Sequence, residues 1–343
     1  MVEISLAQED AMKNVLLIGT GGTIASEMTA EGLTPMLSSQ QLLQFVPSIS
    51  DICNVTCMEL FSLDSTNITP AHWVRLAQTI RENYAKYDGF VICHGTDTMA
   101  YTAAALSYLI QDSPKPIILT GAQKPITFDS TDSKTNLLDS FLCAASQMCG
   151  VMVVFNGKVI AGTRAKKTRS KSFKAFSSIN YPELATIQSG YLMEYIRNPH
   201  AAQPTFYDKM NPRVALLKMI PGTQTELFSF LLERNDALIV ESFGVGGLPS
   251  YKGLGIEDIL LKAIDQGKTV VLTTQVQNEG SDLSVYNVGY QLRKLRLLEA
   301  YDMTTEAVVA KLMWILGQTS DPERVQALFY TPVANDLLYR KEQ

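Results

Sequence analysis

The sequence predicts an α/β protein in two units, a larger N-terminal domain with a mixed, mostly parallel sheet plus a β-hairpin and a smaller C-terminal parallel α/β domain. Three observations predict it. Apolar runs end repeatedly in glycine-rich or polar loops and are followed by helical periodicity, the alternation that parallel strands with crossover helices produce. Asn156-Gly157 stands between two apolar runs, VMVVF and KVIAG, which is the strongest short-range signal for an antiparallel hairpin. A chain of 343 residues also exceeds what one ordinary core accommodates.

Taken in order, residues 15–18 run into GTGGT, 56–60 into SLDSTN, 90–93 into HGTDT and 117–119 into TGAQKP. Between these strands, 69–84 reads as a helix with Thr69 as N-cap, Pro70 in the first turn and Trp73, Leu76, Ala77, Ile80 and Tyr84 on one stripe. Residues 99–109 and 133–148 read as helices of the same kind. The hairpin makes the sheet mixed, and 164–174, basic and polar, is expected as a loop rather than a core element. Residues 197–212 hold three prolines and little periodicity, and form the expected linker between domains spanning 13–196 and 213–343. In the second domain, 214–219, 237–241 and 269–274 are the expected strands and 225–234, 256–265 and 304–316 the expected helices. The first domain is thus flavodoxin-like and the second Rossmann-like in organisation.

Composition narrows the function. Hydrophobic residues make up 46% and charged residues 18%, with a net charge of only −5, so there is no concentrated basic surface for nucleic acid or an anionic membrane. A small-molecule ligand is the better expectation. The opening MVEISLAQEDAMKN is acidic, and the apolar run after it is too short for a signal sequence. No window has the length of a membrane span. A cytoplasmic protein is expected, and five cysteines, an odd count, fit a reducing compartment. The three histidines, His72, His94 and His200, show no local pairing at metal-ligand spacing. Buried small hydrophobes are therefore the expected reading of the thiols.

In open parallel sheets the ligand sits beyond the carboxyl ends of the strands, so the four loops have to be read together. GTGGT fails as a dinucleotide fingerprint because Ile24 occupies the third glycine position, and no G-K-[ST] follows to make a phosphate loop. Two readings remain: Gly19, Gly21 and Gly22 leave no Cβ atoms around the hydroxyl of Thr23, or that hydroxyl is an ordinary turn residue beside glycine. In HGTDT, Thr96 and Asp97 put a hydroxyl and a carboxylate at one strand end. A threonine nucleophile needs a base. Lysine can serve when its pKa is lowered, and TRAKKTRS offers Lys166 and Lys167, between which the residues themselves do not choose. His94 is either a base or a histidine locked by backbone hydrogen bonds beside its strand. His72 is expected exposed and His200 in the linker. Asp64, Ser65 and Thr66, with Ala122 and Gln123, supply carboxylate, hydroxyls and amides suited to a zwitterion, although each loop alone reads better as turn and cap chemistry.

GTGGTIAS, DSTNITP, HGTDTMAYTAAALS, TGAQ and the later GVGG, in this order, resemble the bacterial-type L-asparaginases, specifically their cytoplasmic type I branch, from Lys13 to nearly the end of the chain. The resemblance implies hydrolysis of the side-chain amide of L-asparagine to L-aspartate and ammonia without any cofactor or metal. It implies Thr23 as nucleophile and Thr96, Asp97 and Lys167 as the second hydroxyl–acid–lysine cluster; Lys167 is selected by standing six residues before Phe173. Substrate contacts are implied at Gly22, Asp64, Ser65, Thr66, Thr96, Asp97 and Ala122, with backbone amides near Thr23 and Thr96 as oxyanion donors.

Two positions depart from the family pattern. Leu33 falls in the loop where many relatives carry a tyrosine, and Tyr286 could supply a phenol from a neighbouring subunit of a homodimer or homotetramer. Glu241 replaces an arginine that some type I relatives use to bind asparagine at a regulatory site, and a carboxylate there would repel that effector. The alternatives are a glutaminase-asparaginase of broader specificity, a non-catalytic amino-acid sensor, and the amidase half of a tRNA-dependent amidotransferase; the short stretch before Lys13 weighs against the last.

Overall fold

A computed structural model of the chain describes residues 12–29, 32–198, 200–249, 255–285 and 297–338. The first domain runs β1 (Asn14–Gly21), the antiparallel pair β2 (Ser26–Thr29) and β3 (Gly32–Pro35), α1 (Ser39–Gln44), β4 (Asn54–Leu63), α2 (Pro70–Asn83) and β5 (Gly89–Cys93). It continues through α3 (Met99–Leu109), β6 (Ile110–Gln111), β7 (Pro116–Thr120), α4 (Ser133–Ala144), β8 (Gly150–Phe155), β9 (Lys158–Ala161) and β10 (Ala165–Lys167). It ends with β11 (Phe176–Ser178), β12 (Ala185–Gln188) and β13 (Tyr191–Glu194).

The eight-stranded sheet has the order β13-β12-β9-β8-β7-β5-β1-β4. Strands β4, β1, β5, β7 and β8 are parallel to their neighbours, and β9, β12 and β13 run antiparallel beyond them. The reversal is the Asn156-Gly157 turn, with φ of 51° and 72°, the doubly left-handed geometry that matches strand twist. Alternation along β1 sends Leu16 and Ile18 into one core and Val15 and Leu17 into the other. Apolar side chains of α2 and α3 fill the first core, and those of α1 and α4 the second.

The stripe expected on α2 is the buried one, and the helix begins with a capping box in which Thr69 N donates to His72 Nδ1 at 3.0 Å. His72 is therefore not the exposed residue that its place beside the stripe suggested; it is half-buried with its ring edge-on to Phe61. The fourth helix stops at Ala144, short of the expected 148, and the Ser146 hydroxyl donates to Cys143 O at 2.7 Å, a local bond of the kind that competes with helix continuation. The five cysteines are free thiols, and all but Cys57 are buried.

The segment expected as a basic loop also differs. Ala165–Lys167 pairs antiparallel with Phe176–Ser178, and Arg164 is wholly buried. Its guanidinium donates to Asp302 O and Asp302 Oδ2, each at 2.7 Å, and to Asn335 O at 2.6 Å. Local composition could not show a partner more than a hundred residues away, so charge content was read as solvation.

After β14 (Thr205–Phe206), which pairs with β6, the second domain has β15 (Val214–Lys218), α5 (Glu226–Arg234), β16 (Ala237–Ser242), α6 (Ile256–Asp265), β17 (Thr269–Thr274) and β18 (Leu298–Glu299). The helices α7 (Thr305–Gln318) and α8 (Pro322–Tyr330) complete it. Its sheet, β15-β16-β17-β18, is wholly parallel. Residues of α5 and α6 cover one face, while α7 joins the core that holds α3 of the first domain. The alanines 103–105 let α3 lie between its own sheet and α7, where Tyr108 stacks on Trp314 with centroids 5.9 Å apart. No helix among the described residues is long and apolar enough to cross a membrane.

Asp139 on α4 is 6% exposed, and burial pushes its carboxyl up to about 6 while a Gly157 backbone hydrogen bond pulls the other way. Since its folded-state value lies above the ordinary 3.8, the folded protein binds the proton more tightly, and this contribution to stability falls as pH rises through that window. Asp139→Asn is therefore expected to stabilise the protein at pH 8 by about 1–2 kcal/mol, allowing for partial solvation, with the gain disappearing near pH 4. Urea unfolding at the two pH values measures it, and equal midpoints at pH 8 would show a solvated carboxylate.

Candidate active site

The parallel order β7-β5-β1-β4 places four loops side by side at the carboxyl ends of their strands. Glycines bring them into contact. A Cβ on Gly21 (φ +96°) would lie 2.4 Å from Leu63 O, and one on Gly22 (φ +83°) 2.4 Å from Gly95 N. A Cβ on Gly95 would lie 2.6 Å from Ser65 Oγ, and one on Gly121 2.2 Å from His94 O. Any side chain at these positions would push the loops apart. The glycines of GTGGT thus seat the Thr23 loop directly on the loop of Thr96 and on the end of β4, where Gly22 N donates to Leu63 O at 3.1 Å.

Thr23 opens a single 3-10 turn, Thr23–Ala25, closed by the Ser26 hydroxyl donating to Gly22 O at 3.0 Å. Its side chain is half-buried, and its hydroxyl has no hydrogen bond among the described residues. Thr96 is 6% exposed. Lys167 Nζ donates to Thr96 Oγ1 at 2.7 Å and to Asp97 Oδ1 at 2.6 Å. The Asp97 side chain is 60% exposed and the Lys167 side chain 16%, so the lysine is sheltered while the carboxylate faces outward. Lys166 points to the other side of β10, as strand alternation requires, and pairs with Glu306 at 3.1 Å.

Gln123 completes the cluster. Its Nε2 donates to Ser172 O at 3.2 Å, which leaves Oε1 to accept from the Thr96 hydroxyl at 3.2 Å. Thr96 therefore spends its proton on Gln123 and offers Lys167, or an incoming group, only a lone pair. The Gln123 loop is held in turn by Asp132, which accepts from Gln123 N at 3.0 Å and Lys124 N at 3.2 Å and receives Asn136 Nδ2 at 3.2 Å. Burial raises the Asp132 carboxyl, with those N–H groups opposing the rise. Sequence reading missed Asp132, Asn136 and Ser172; an acid and an amide one helical turn apart at the start of α4 were the available signal.

In the DST loop the carboxylate of Asp64 accepts from Thr66 N at 2.8 Å and Thr66 Oγ1 at 2.7 Å, and those bonds hold its pKa below the ordinary value. The turn chemistry weighed for this loop is what Asp64 performs. Ser65 is buried beneath Gly95, and its carbonyl accepts from the Thr98 hydroxyl at 2.7 Å. Ala122 is buried in the core that also holds Ile24. Tyr286 lies outside the described residues, as does the side chain of Leu33.

His94 is no free base. It is fully buried, its Nδ1 lies 2.7 Å from Gly95 O and its Nε2 2.9 Å from Thr102 Oγ1, and burial pulls its pKa down to about 4. Of the two readings weighed for it, the locked one holds. His200 is exposed, with Nδ1 3.3 Å from Ala201 O. Among the described residues no group of three or more His, Cys, Asp or Glu side chains could hold a metal ion.

Residues 14–200 match the family model described as "Asparaginase, N-terminal", and residues 213–329 match "Glutaminase/Asparaginase C-terminal domain". An L-asparaginase of Thermococcus kodakarensis is 35% identical over 325 residues, 94% of this chain and 98% of that protein. A glutamyl-tRNA(Gln) amidotransferase component from Pyrococcus abyssi is 33% identical over 350 residues, 98% of this chain but 79% of that protein. Among solved structures, the thermostable L-asparaginase from Thermococcus kodakarensis superposes with a TM-score of 0.90 at 34% identity, covering 95% of this chain and 100% of its own. L-asparaginase I from Vibrio cholerae gives 0.85 at 30% identity, covering 96% and 100%.

Proposed function

Because the chain belongs to the asparaginase family, we propose that it hydrolyses the side-chain amide of L-asparagine to L-aspartate and ammonia through an ester on Thr23. The observation that carries the reading is the Lys167 ammonium held between Thr96 Oγ1 and Asp97 Oδ1, on a loop seated against the loop of Thr23. A free hydroxyl, a hydroxyl–lysine–carboxylate file and clustered backbone amides are the parts that acyl transfer needs.

In the first step the Thr23 oxygen attacks the carboxamide carbon. Its proton passes to the Thr96 oxygen, which hands its own proton to the departing nitrogen so that this leaves as ammonia, while Lys167, held between Thr96 and Asp97, orients the Thr96 oxygen. A water, oriented by the Thr96 lone pair, then opens the ester and restores the Thr23 hydroxyl. The exposed carboxylate of Asp97 suits the substrate ammonium, and Ser65 and Thr66 hydroxyls suit its carboxylate. Thr66 must then trade its bond to Asp64 for one to the ligand. The same proposal includes a cytoplasmic location and self-association as a homodimer or homotetramer, with Tyr286 supplied across the interface. Exposed Ile220, Leu227 and Phe230 in the second domain give apolar surface for such contact.

Ammonia release from L-asparagine and from L-glutamine tests the reading. A kcat/KM for asparagine well above that for glutamine is expected; comparable values would place the chain with the broader glutaminase-asparaginases, because one methylene discriminates weakly. Binding of asparagine without any ammonia release would make the protein a sensor and end the proposal.

A further inference from the structure

A buried file of hydrogen bonds runs from α2 to the loop of Thr96 and ends on main chain. Trp73 Nε1 donates to Thr102 Oγ1 at 3.0 Å, Thr102 Oγ1 meets His94 Nε2 at 2.9 Å, and His94 Nδ1 meets Gly95 O at 2.7 Å. Trp73 is 6% exposed, and Thr102 and His94 are each 1% exposed. The two ends settle every proton between them. An indole N–H only donates, so the Thr102 oxygen accepts from it and turns its own proton to His94 Nε2. A carbonyl only accepts, so the imidazole proton sits on Nδ1. The ring is neutral, consistent with a pKa near 4, and neither nitrogen has capacity left for substrate.

The peptide unit that receives this file has its other end at Thr96 N, and that N–H makes no hydrogen bond with any described residue. Gly95, from which the unit starts, is also gripped sterically, with Gly22 packed against its N and Cα and Ser65 filling the place of its missing Cβ. A carbonyl accepting a strong hydrogen bond polarises its peptide and strengthens the N–H as a donor. We propose that Trp73, Thr102 and His94 are positioning residues that clamp and polarise the Gly95–Thr96 peptide, so that Thr96 N–H meets the oxyanion formed in amide hydrolysis. The inference rests on the proposed reaction and adds three residues to its machinery that touch neither substrate nor nucleophile.

The test uses the full chain with Thr102→Val, which keeps the shape and removes both bonds, and Thr102→Ser, which keeps them. Loss of a whole oxyanion donor costs about 10²–10³ in kcat, so loosening one should lower kcat for asparagine about 10- to 100-fold in Thr102→Val, with KM changed less than about threefold. Serine should recover activity to within about threefold of the original. Nitrogen-15 spectra of the unmodified protein should show His94 protonated on Nδ1 and bare on Nε2, a result that needs no variant to fold. A Thr102→Val protein with undiminished kcat, a proportional rise in KM alone, or a His94 proton on Nε2 overturns the relay. An unmodified protein that releases no ammonia sinks the reaction and with it the relay's role, whereas an active protein with an unaffected variant sinks the relay alone.

Discussion

Thr23→Ala is expected to abolish asparagine hydrolysis, lowering kcat by at least about 10⁴-fold, while the protein folds as before. Removing a covalent nucleophile deletes the bond through which the reaction divides into two easier steps, and losses of this size follow in enzymes whose nucleophile works as a unit with its base. The fold should not notice. The Thr23 hydroxyl makes no hydrogen bond among the described residues and its side chain is only half-buried, so the change in stability should stay within about 0.5 kcal/mol. The loop itself is set by the glycines and by Ser26, which the substitution leaves untouched. Steady-state ammonia release together with urea unfolding measures both halves. A variant retaining a tenth of the original rate would refute the nucleophile, and a variant that is inactive because it has unfolded is identified by the second measurement. Thr23→Ser, which keeps an oxygen on a less restricted side chain, should retain measurable turnover.

The second large effect concerns stability. Asp336→Ala should destabilise the protein by about 3–5 kcal/mol, because it strands a buried ammonium. Lys311 Nζ lies 2.7 Å from Asp336 Oδ2, and both side chains are 0% exposed. The same oxygen accepts from the Tyr108 hydroxyl at 2.8 Å, Asp336 Oδ1 accepts from Val333 N at 2.8 Å, and Lys311 also donates to Thr331 O at 2.9 Å. Burial lowers the lysine's pKa and pushes the Tyr108 phenol well above its usual range. With the carboxylate gone, the lysine keeps one carbonyl and the rings of Tyr108 and Phe329, whose centroids lie 5.9 and 5.8 Å away and cannot replace a charge partner. The double variant Lys311→Met with Asp336→Leu should recover most of the loss, since it removes the charge as well as its partner. A loss below about 1 kcal/mol in the single variant would show that water reaches the pair and that the site is not dry.

This pair explains something about how the chain is joined. Tyr108 closes α3 in the first domain, Lys311 lies on α7 in the second, and Asp336 comes from the segment after α8. Arg164 adds a second crossing through Asp302 and Asn335 O, and Thr163 a third, its hydroxyl donating to Ala334 O at 2.7 Å. The segment after α8 thus locks the two domains together just behind β10, the strand that carries Lys167. Neither α8 nor this lock was read from the sequence, because the acid, the lysine and the arginine lie far apart along the chain and none sits in a motif.

The strands and helices of both sheets were legible because each signal is local. Periodicity of 2 or 3.6 survives in a short window, Asn-Gly specifies its turn, and a threonine followed by proline announces a helix. The loops were legible for the same reason, as four strands each deliver a polar sequence to one edge. What failed did so where a side chain's fate depends on a distant partner. Arg164 read as solvated and is wholly buried; His72 read as exposed and instead caps its own helix; Asp132 drew no attention and holds the Gln123 loop.

By itself, then, the sequence determined the order of most elements, the edge of the sheet to which four polar loops are delivered, and Thr23 and the HGTDT run as the candidate residues there. Only the tertiary structure decided which lysine meets Thr96, which way the protons of His94 and Thr96 point, and how four loops approach closely enough to share one site. The physical reason lies in range. A backbone pattern is written within a few residues, whereas a hydrogen-bond direction or a glycine-to-backbone contact exists only after strands far apart in the chain have been laid side by side.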